Sequence, residues 1–297
     1  MTPLAVVVLA HRDAPQVRRL ITALPEVPIV LHCDAKTDAA EATSMMSDLP
    51  ARVSVLSRLR TSLASWSLVQ AELEALRAAL QTTAEHIVVC SGADYPLVSV
   101  EQLTDELSGW RGRSHFWNAP IPYSRWDTPH NRTGGRWRFE SRFLTRRDQV
   151  MYVRGIPLRV PRRRAIPAEL ELRASSQWKI YARRHAAVLL DIVSHRTDLV
   201  RFWRGTLVPE ESFAASVLAS PSLVGDDAIE PSAANAWYLD WPVGNTAHPR
   251  WLDSSDFRRL RDARFATADQ DRKWFARKFS TTVDSAVLDR IDAELRV

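Results

Sequence analysis

Charged residues collect where the apolar runs of this chain stop. LAVVVLA (residues 4–10) is followed by His11, Arg12 and Asp13, PIVLHC (28–33) by Asp34, and HIVVCS (86–91) by Gly92, Asp94 and Tyr95. In α/β proteins, ligands bind outside the carboxyl ends of the strands. Carboxylates there can accept hydrogen bonds from a ribose or a base, and arginines or a lysine can neutralise a diphosphate. Asp94 also has a plainer reading, as a turn former ahead of Pro96. A further pair of acids lies in Val208-Pro209-Glu210-Glu211-Ser212-Phe213. Pro at a first helical position with acids in the first turn reads as a helix start with two capping carboxylates.

Several chemistries lack their motifs. No GxGxxG or GxxxxGK[ST] follows a strand, and there is neither a GxSxG elbow nor an HExxH helix. Asp269-Gln270-Asp271 has the DxD form that can hold a divalent metal, but it sits in the charged stretch DQDRK and reads better as a solvated helical face. Cys33 and Cys90 both fall inside predicted strands and offer no metal spacing or disulfide framework. A reducing cytoplasm is the expected location.

The elements that must position these groups follow from periodicity. Strands are predicted over residues 4–10, 28–33, 53–56, 86–91, 115–117, 177–181 and 237–241. Helices are predicted over 16–23, 66–81, 100–107, 186–193, 255–260 and 284–295, with a short one running through Leu218. Val69, Leu73, Leu76 and Leu80 form one helical stripe, and Ile87 to Cys90 is continuously apolar, as a strand buried on both faces requires. The alternation predicts βαβ units and a mostly parallel sheet flanked by helices. The 297 residues, 45% of them hydrophobic, suit one large α/β domain or two small ones. No apolar run is long enough for a bilayer, and MTPLAVVVLAHRD reads as a first strand rather than a signal peptide.

The formal charge is +5, with only four lysines, Lys36, Lys179, Lys273 and Lys278, among 40 basic residues. Eleven arginines against two acids, Glu140 and Asp148, lie between Arg132 and Arg164. This irregular stretch from Asn118 to Arg173 has three readings. It is a solvated basic excursion, a wall of the site that meets an anionic or sugar ligand, or a nucleic-acid groove of arginines and aromatics. No nucleic-acid motif accompanies the charge.

Six short motifs occur in order: ASW (64–66), SGADYPL (91–97), SSQWKI (175–180), VPEESF (208–213), LDW (239–241) and FARKF (275–279). Together they resemble the core-2/I-branching β-1,6-N-acetylglucosaminyltransferase family, which includes the peptide O-xylosyltransferases. The Arg-rich stretch matches least. The resemblance implies a GT-A-like (Rossmann-like) α/β fold spanning residues 1–297, with a nucleotide-sugar half (1–117), the irregular basic segment (118–173) and an acceptor and catalytic half (174–297). It also implies an inverting transferase that uses a UDP-sugar without a bound metal or other cofactor.

Carried onto this sequence, the family's uridine contact falls on Asp34, in Leu31-His32-Cys33-Asp34. Its general base falls on Glu211, although Glu210 stands where the family has aspartate. Its diphosphate contacts fall on Lys278 of FARKF and, more loosely, on Arg250. Trp241 falls on an acceptor-lining tryptophan, and Glu140 is the candidate for the family's acidic acceptor contact. Asp94 joins the substrate-binding candidates from its place after the central strand.

Animal members carry a membrane anchor, a stem and disulfides. Their lack here points to a soluble, bacterial-type enzyme. Its donor sugar would be N-acetylglucosamine, with xylose or glucose as alternatives. Its acceptor would be a glycan or a glycosylated small metabolite, with no nucleic acid expected. The basic stretch leaves room for a peripheral membrane contact. Two competing readings are a metal-dependent GT-A enzyme and a noncatalytic protein that binds nucleic acid or anionic glycan on a degenerate transferase fold.

Overall fold

The computed structural model describes residues 4–110, 112–128, 131–147, 149–242, 248–268 and 271–297. The chain opens with β1 (Leu4–Ala10), α1 (Ala14–Thr22), β2 (Ile29–Cys33), α2 (Ala39–Met46), β3 (Val53–Val55), α3 (Trp66–Ala79) and β4 (His86–Ser91). β5 (Asp94–Pro96) and α4 (Val100–Ser108) follow. The middle holds β6 (Asn118–Pro120), the one-turn α5 (Trp137–Glu140), and four two-residue strands: β7 (Thr145–Arg146), β8 (Gln149–Val150), β9 (Tyr152–Val153) and β10 (Ile156–Pro157). Then come β11 (Arg173–Ser175), β12 (Lys179–Ala182), α6 (Arg183–His195), α7 (Thr197–Arg204), α8 (Phe213–Leu218) and α9 (Pro221–Val224). β13 (Trp237–Leu239), α10 (Phe257–Arg264), β14 (Phe275–Arg277) and α11 (Ala286–Glu294) complete it.

The central sheet has the order β12-β4-β1-β2-β3. β1 pairs in parallel with β2 and β4, and β2 with β3, while β12 runs antiparallel at the edge. Parallel neighbours need a crossover, and helices supply it. Strand alternation explains the unbroken apolar runs. Ala5, Val7 and Leu9 face a layer with Val69, Leu73 and Leu76 of α3 and Leu189 of α6. Leu4, Val6 and Val8 face Val17 and Leu20 of α1, Met45 of α2 and Leu103 of α4. With both faces covered, β1 and β2 have no exposed residue, and each large aliphatic chain buried this way contributes about 1.5–3 kcal/mol.

A second sheet, β13-β14-β5, carries the end of the chain back to the core. β14 pairs antiparallel with β5, setting Arg277 opposite Asp94. Leu260 of α10 and Leu288 and Ile291 of α11 pack with Tyr95 and Phe279 over it. The turn between β4 and β5 needs glycine, because a Cβ at Gly92 would meet Val17 Cγ2 at 2.8 Å and Ala10 Cβ at 3.1 Å.

The predicted strand over 115–117 is corrected. His115 makes one isolated bridge to Ile180, and the ladder begins at Asn118, paired with β11. The ring of His115 is held between Trp110 and Trp274, at centroid distances of 4.2 and 4.6 Å, in a cluster no local pattern announces. Helices α2 and α7 were not anticipated; α7 buries Leu199, Phe202 and Trp203 at helical spacing. Among the described residues no helix is long and apolar enough to cross a membrane.

Candidate active site

The Pro-Glu-Glu motif forms a single 3₁₀ turn, Pro209–Glu211, between α7 and α8. Its entry is strained: Val208 sits at φ 53°, where a β-branched residue is rare, and Ala64 sits at φ 62°. The two strained residues hold each other. Val208 N donates to Ala64 O at 3.2 Å, and Ala64 N donates to Glu210 Oε1 at 2.8 Å. The edge of Trp66 packs on Phe213 with centroids 5.0 Å apart. ASW and VPEESF, 144 residues apart by first position (208 minus 64), are thus one structural unit.

Beneath this turn lies a buried charge network. Lys179, 1% exposed, places Nζ 3.2 Å from both oxygens of Glu72 on α3. The same ammonium donates to Gln177 O at 3.1 Å and to Glu210 O at 3.2 Å. Tyr181 donates to Glu72 Oε1 at 2.6 Å. The ammonium therefore grips the main chain of the turn as well as the carboxylate.

The two turn carboxylates differ. Glu210 is buried, its Oε2 has no hydrogen-bond partner, and burial and then the neighbouring Glu211 charge push its pKa up to about 8. Glu211 keeps 38% of its side chain exposed. Desolvation of its carboxyl head raises its pKa too, opposed by Arg138, whose Nη1 lies 3.6 Å from Glu211 Oε2. Arg138 comes from the Arg-rich segment. Its Cζ stands 4.0 Å from the centroid of Trp126, and burial lowers its pKa.

A second cluster is cationic. His11, Arg12 and Asp13 after β1, Ser91 at the end of β4, and Trp251, Arg277 and Lys278 line one cleft. Lys278 Nζ lies 4.1 Å from the Trp251 ring centroid, and Arg12 Cζ lies 5.3 Å from the same centroid. Burial and then the nearby Arg277 and Arg12 charges lower the pKa of Lys278, and burial and then Arg12 lower that of His11. No carboxylate among the described residues pairs with Arg12 or Lys278, so these charges repel one another until an anion arrives. Asp13 does not neutralise them. It accepts from Thr281 Oγ1 at 2.8 Å and from Ser280, clasping the turn after FARKF to the start of α1.

The sequence-derived candidates separate on this geometry. Asp34 follows β2 near His11, 4% exposed. It accepts from Lys36 N at 2.7 Å, Thr61 N at 3.1 Å and Thr61 Oγ1. Burial opposes its charge, but the Thr61 and Lys36 hydrogen bonds outweigh burial and lower its pKa. Three bonds leave about one of a carboxylate's four acceptor positions open.

Arg250 lies beside Trp251 but is held by Asp240, at 2.7 Å, and by Asp256. Trp241 is 49% exposed, next to residues 243–247, which lie outside the described set. Glu140 pairs with Arg136 at 2.8 Å and Arg163 at 3.4 Å. The DxD stretch lies partly outside the described residues, since 269 and 270 are not described. Among the described residues no three His, Cys, Asp or Glu side chains converge as a metal-binding group.

Asp94 requires a correction. It is wholly buried and accepts four hydrogen bonds, from Ser91 N and Oγ, Trp237 Nε1 and Arg277 Nη1, so it has no surface to offer a substrate. It fixes Arg277 at 2.8 Å instead. Arg277 in turn lies over Trp178, 4.5 Å from the ring centroid. Neighbours along an extended chain point to opposite faces. Trp178 thus reaches the cation cleft through Arg277 while Lys179 holds the Pro-Glu-Glu turn, and the SSQWKI motif joins the two halves of the site.

Sequence reasoning missed Arg12, Arg138 and Arg277 as individual site residues, and Glu72 altogether. Glu72 left a signal, an acid on the apolar stripe of Val69, Leu73 and Leu76. Arg138 left none among eleven arginines.

Residues 4–262 match the family model of the Core-2/I-Branching enzyme, and the chain belongs to that family of glycosyltransferases. No curated protein matches the sequence. Among solved structures, mouse xyloside xylosyltransferase 1 in its apo form is similar at 10% identity and a TM-score of 0.37, covering 80% of this chain and 89% of its own. A putative glucose-1-phosphate thymidylyltransferase from Bacillus anthracis is similar at 12% identity and a TM-score of 0.31, covering 63% of this chain and 74% of its own. Neither likeness is close enough to bear on substrate or mechanism.

Two outcomes follow from the buried charges. Lys179→Met leaves the Glu72 carboxylate buried and unpaired, and is expected to cost about 3–5 kcal/mol in urea unfolding. Adding Glu72→Gln should recover part of the loss; a double variant less stable than Lys179→Met contradicts the pairing. For Glu210, the folded pKa of about 8 lies above the ordinary 4.5. The native state then keeps a proton that the unfolded chain has lost. That stability is full below pH 4.5 and disappears as pH rises through 8. Glu210→Gln, which cannot ionise, should gain on the wild type by up to ~1.4 kcal/mol per pH unit across this window. Parallel stability–pH curves for the two proteins rule out a raised Glu210.

Proposed function

We propose that this protein transfers a sugar from a UDP-sugar to a hydroxyl of a glycan or a glycosylated small molecule, by a single inverting displacement without a metal. The observation that carries this reading is the pair of cations, Arg12 and Lys278, over Trp251 at the carboxyl ends of the parallel strands, neither with a carboxylate partner among the described residues. A doubly charged leaving group would relieve the mutual repulsion of those charges, the task a metal ion performs in other transferases. Arg277, held by Asp94, adds a third charge. Arg250 contributes to the diphosphate site only by exchanging its hold on Asp240 and Asp256. Asp34, with one acceptor position open, is the proposed uridine contact.

In the transfer, Glu211 removes the proton of the acceptor hydroxyl as its oxygen bonds to the anomeric carbon. The bond from that carbon to the β-phosphate oxygen breaks on the opposite face, and its electron pair leaves with UDP. A base works best with a pKa near the working pH, and desolvation moves Glu211 in that direction. Trp241 offers an exposed flat face for an acceptor sugar ring, and Glu140 a carboxylate for its hydroxyls. The donor sugar is proposed as N-acetylglucosamine, with xylose and glucose as the alternatives. The two free, buried cysteines, Cys33 and Cys90, suit a reducing cytoplasm.

Glu211→Gln should bind UDP with wild-type affinity and lose roughly 10²–10⁴-fold in turnover. An unchanged kcat removes Glu211 as the base. Lys278→Ala should weaken UDP binding by roughly 10–100-fold, the loss of one charge-assisted contact, and lower turnover with it. Wild-type affinity for UDP in that variant takes Lys278 out of the phosphate site.

A further inference from the structure

The Arg-rich segment is neither irregular nor merely solvated. β7 pairs with β8 and β9 with β10, both antiparallel. Leu144 N donates to Leu158 O, Met151 N to Leu144 O and Leu158 N to Met151 O, at 2.7–2.9 Å, joining the two hairpins into one tongue. Arg164 roots its base by donating to Phe139 O, Phe202 O and Thr206 Oγ1 at 2.6–2.7 Å. The second hairpin turns at Arg154-Gly155, both at positive φ, 50° and 78°, as a tight two-residue turn requires.

The exposed faces of the tongue combine two characters. Tyr152, Val153 and Ile156 beside the turn are 52%, 54% and 65% exposed, three large apolar side chains on one hairpin tip. Arg154 stands in the same turn, and Arg146 and Arg147 at the end of the first hairpin, all three exposed and without a carboxylate partner among the described residues. Exposed aromatic and aliphatic tips on a tongue that also exposes three guanidinium groups fit the boundary of an anionic bilayer, where apolar tips enter the acyl region and arginines meet headgroup phosphates. A nucleic acid would use the arginines but gains little from Val153 and Ile156. A second copy of the tongue would be repelled by the same charges.

We propose that this tongue is a peripheral anchor for anionic phospholipid membranes. The proposal is independent of the sugar-transfer reading.

The test is co-sedimentation of the purified full chain with vesicles of phosphatidylcholine alone and of phosphatidylcholine mixed with phosphatidylglycerol. The expected result is at least a tenfold preference for the mixed vesicles. Tyr152→Ser, Val153→Ser and Ile156→Ser combined should abolish the binding that survives high salt, since screening weakens only the charged part. Arg146→Glu, Arg147→Glu and Arg154→Glu combined should abolish the lipid preference. All six sites are exposed, and unchanged thermal midpoints confirm that the variants are folded; should they unfold, the preference of the wild type for anionic vesicles still decides. Equal sedimentation with both vesicles overturns the proposal. So does steeply salt-dependent binding to a DNA duplex with no vesicle binding, which would make the tongue a nucleic-acid contact.

Discussion

The Lys179 ammonium is the contact on which the site depends. It is almost completely buried, and a buried charge is tolerable only when paired and surrounded by acceptors. Glu72 supplies the opposite charge, and two main-chain carbonyls complete the shell. One of those carbonyls belongs to Glu210, so the lysine's own need for acceptors fixes the turn that presents Glu211. Strain at Val208 and Ala64 is sustained on the other side of the turn, by their mutual hydrogen bond and the Glu210 carboxyl. An apolar pair at 72 and 179 could pack as well, but it would leave the turn's carbonyl without its donor.

The two charged regions face opposite demands. Around Glu211, desolvation makes the carboxylate a better proton acceptor, and Arg138 limits that effect. Around Lys278, cations are brought together with an aromatic face while Asp13 is engaged by Ser280 and Thr281 and Asp94 by Arg277, so Arg12 and Lys278 repel one another. β12 and the residue before it reach both regions from one edge of the sheet. Any shift of that strand would therefore move the Pro-Glu-Glu turn and Arg277 together.

The sheet was largely legible in the sequence. β1 and β4 have the predicted bounds and β2 and β3 differ by one residue, because continuous apolar runs ended by charge leave few alternatives. Of the second sheet only β13 was legible, within the strand predicted over 237–241; the three-residue β5 and β14 carry too few side chains to show a period. For the same reason the tongue's two-residue ladders read as irregular chain.

The site was partly legible. Charges at strand ends drew attention to the His11–Asp13 cluster, Asp34 and Asp94, while Lys278 and Glu211 came from their motif contexts. The role of Asp94 could not be read, since a buried organiser and an exposed ligand are the same residue type in a sequence. Arg12 was visible only as part of its cluster and Arg277 not at all, because their neighbours in space, Trp251 and Trp178, are distant in the chain.

The claim at the centre of this account is that fixed cations, and no metal, hold the diphosphate. Calorimetric titration of UDP into the protein, with EDTA and then with magnesium or manganese in its place, tests it most directly. The account predicts the same affinity in both conditions, falling as ionic strength rises. Binding that appears only when a divalent metal is present would contradict it.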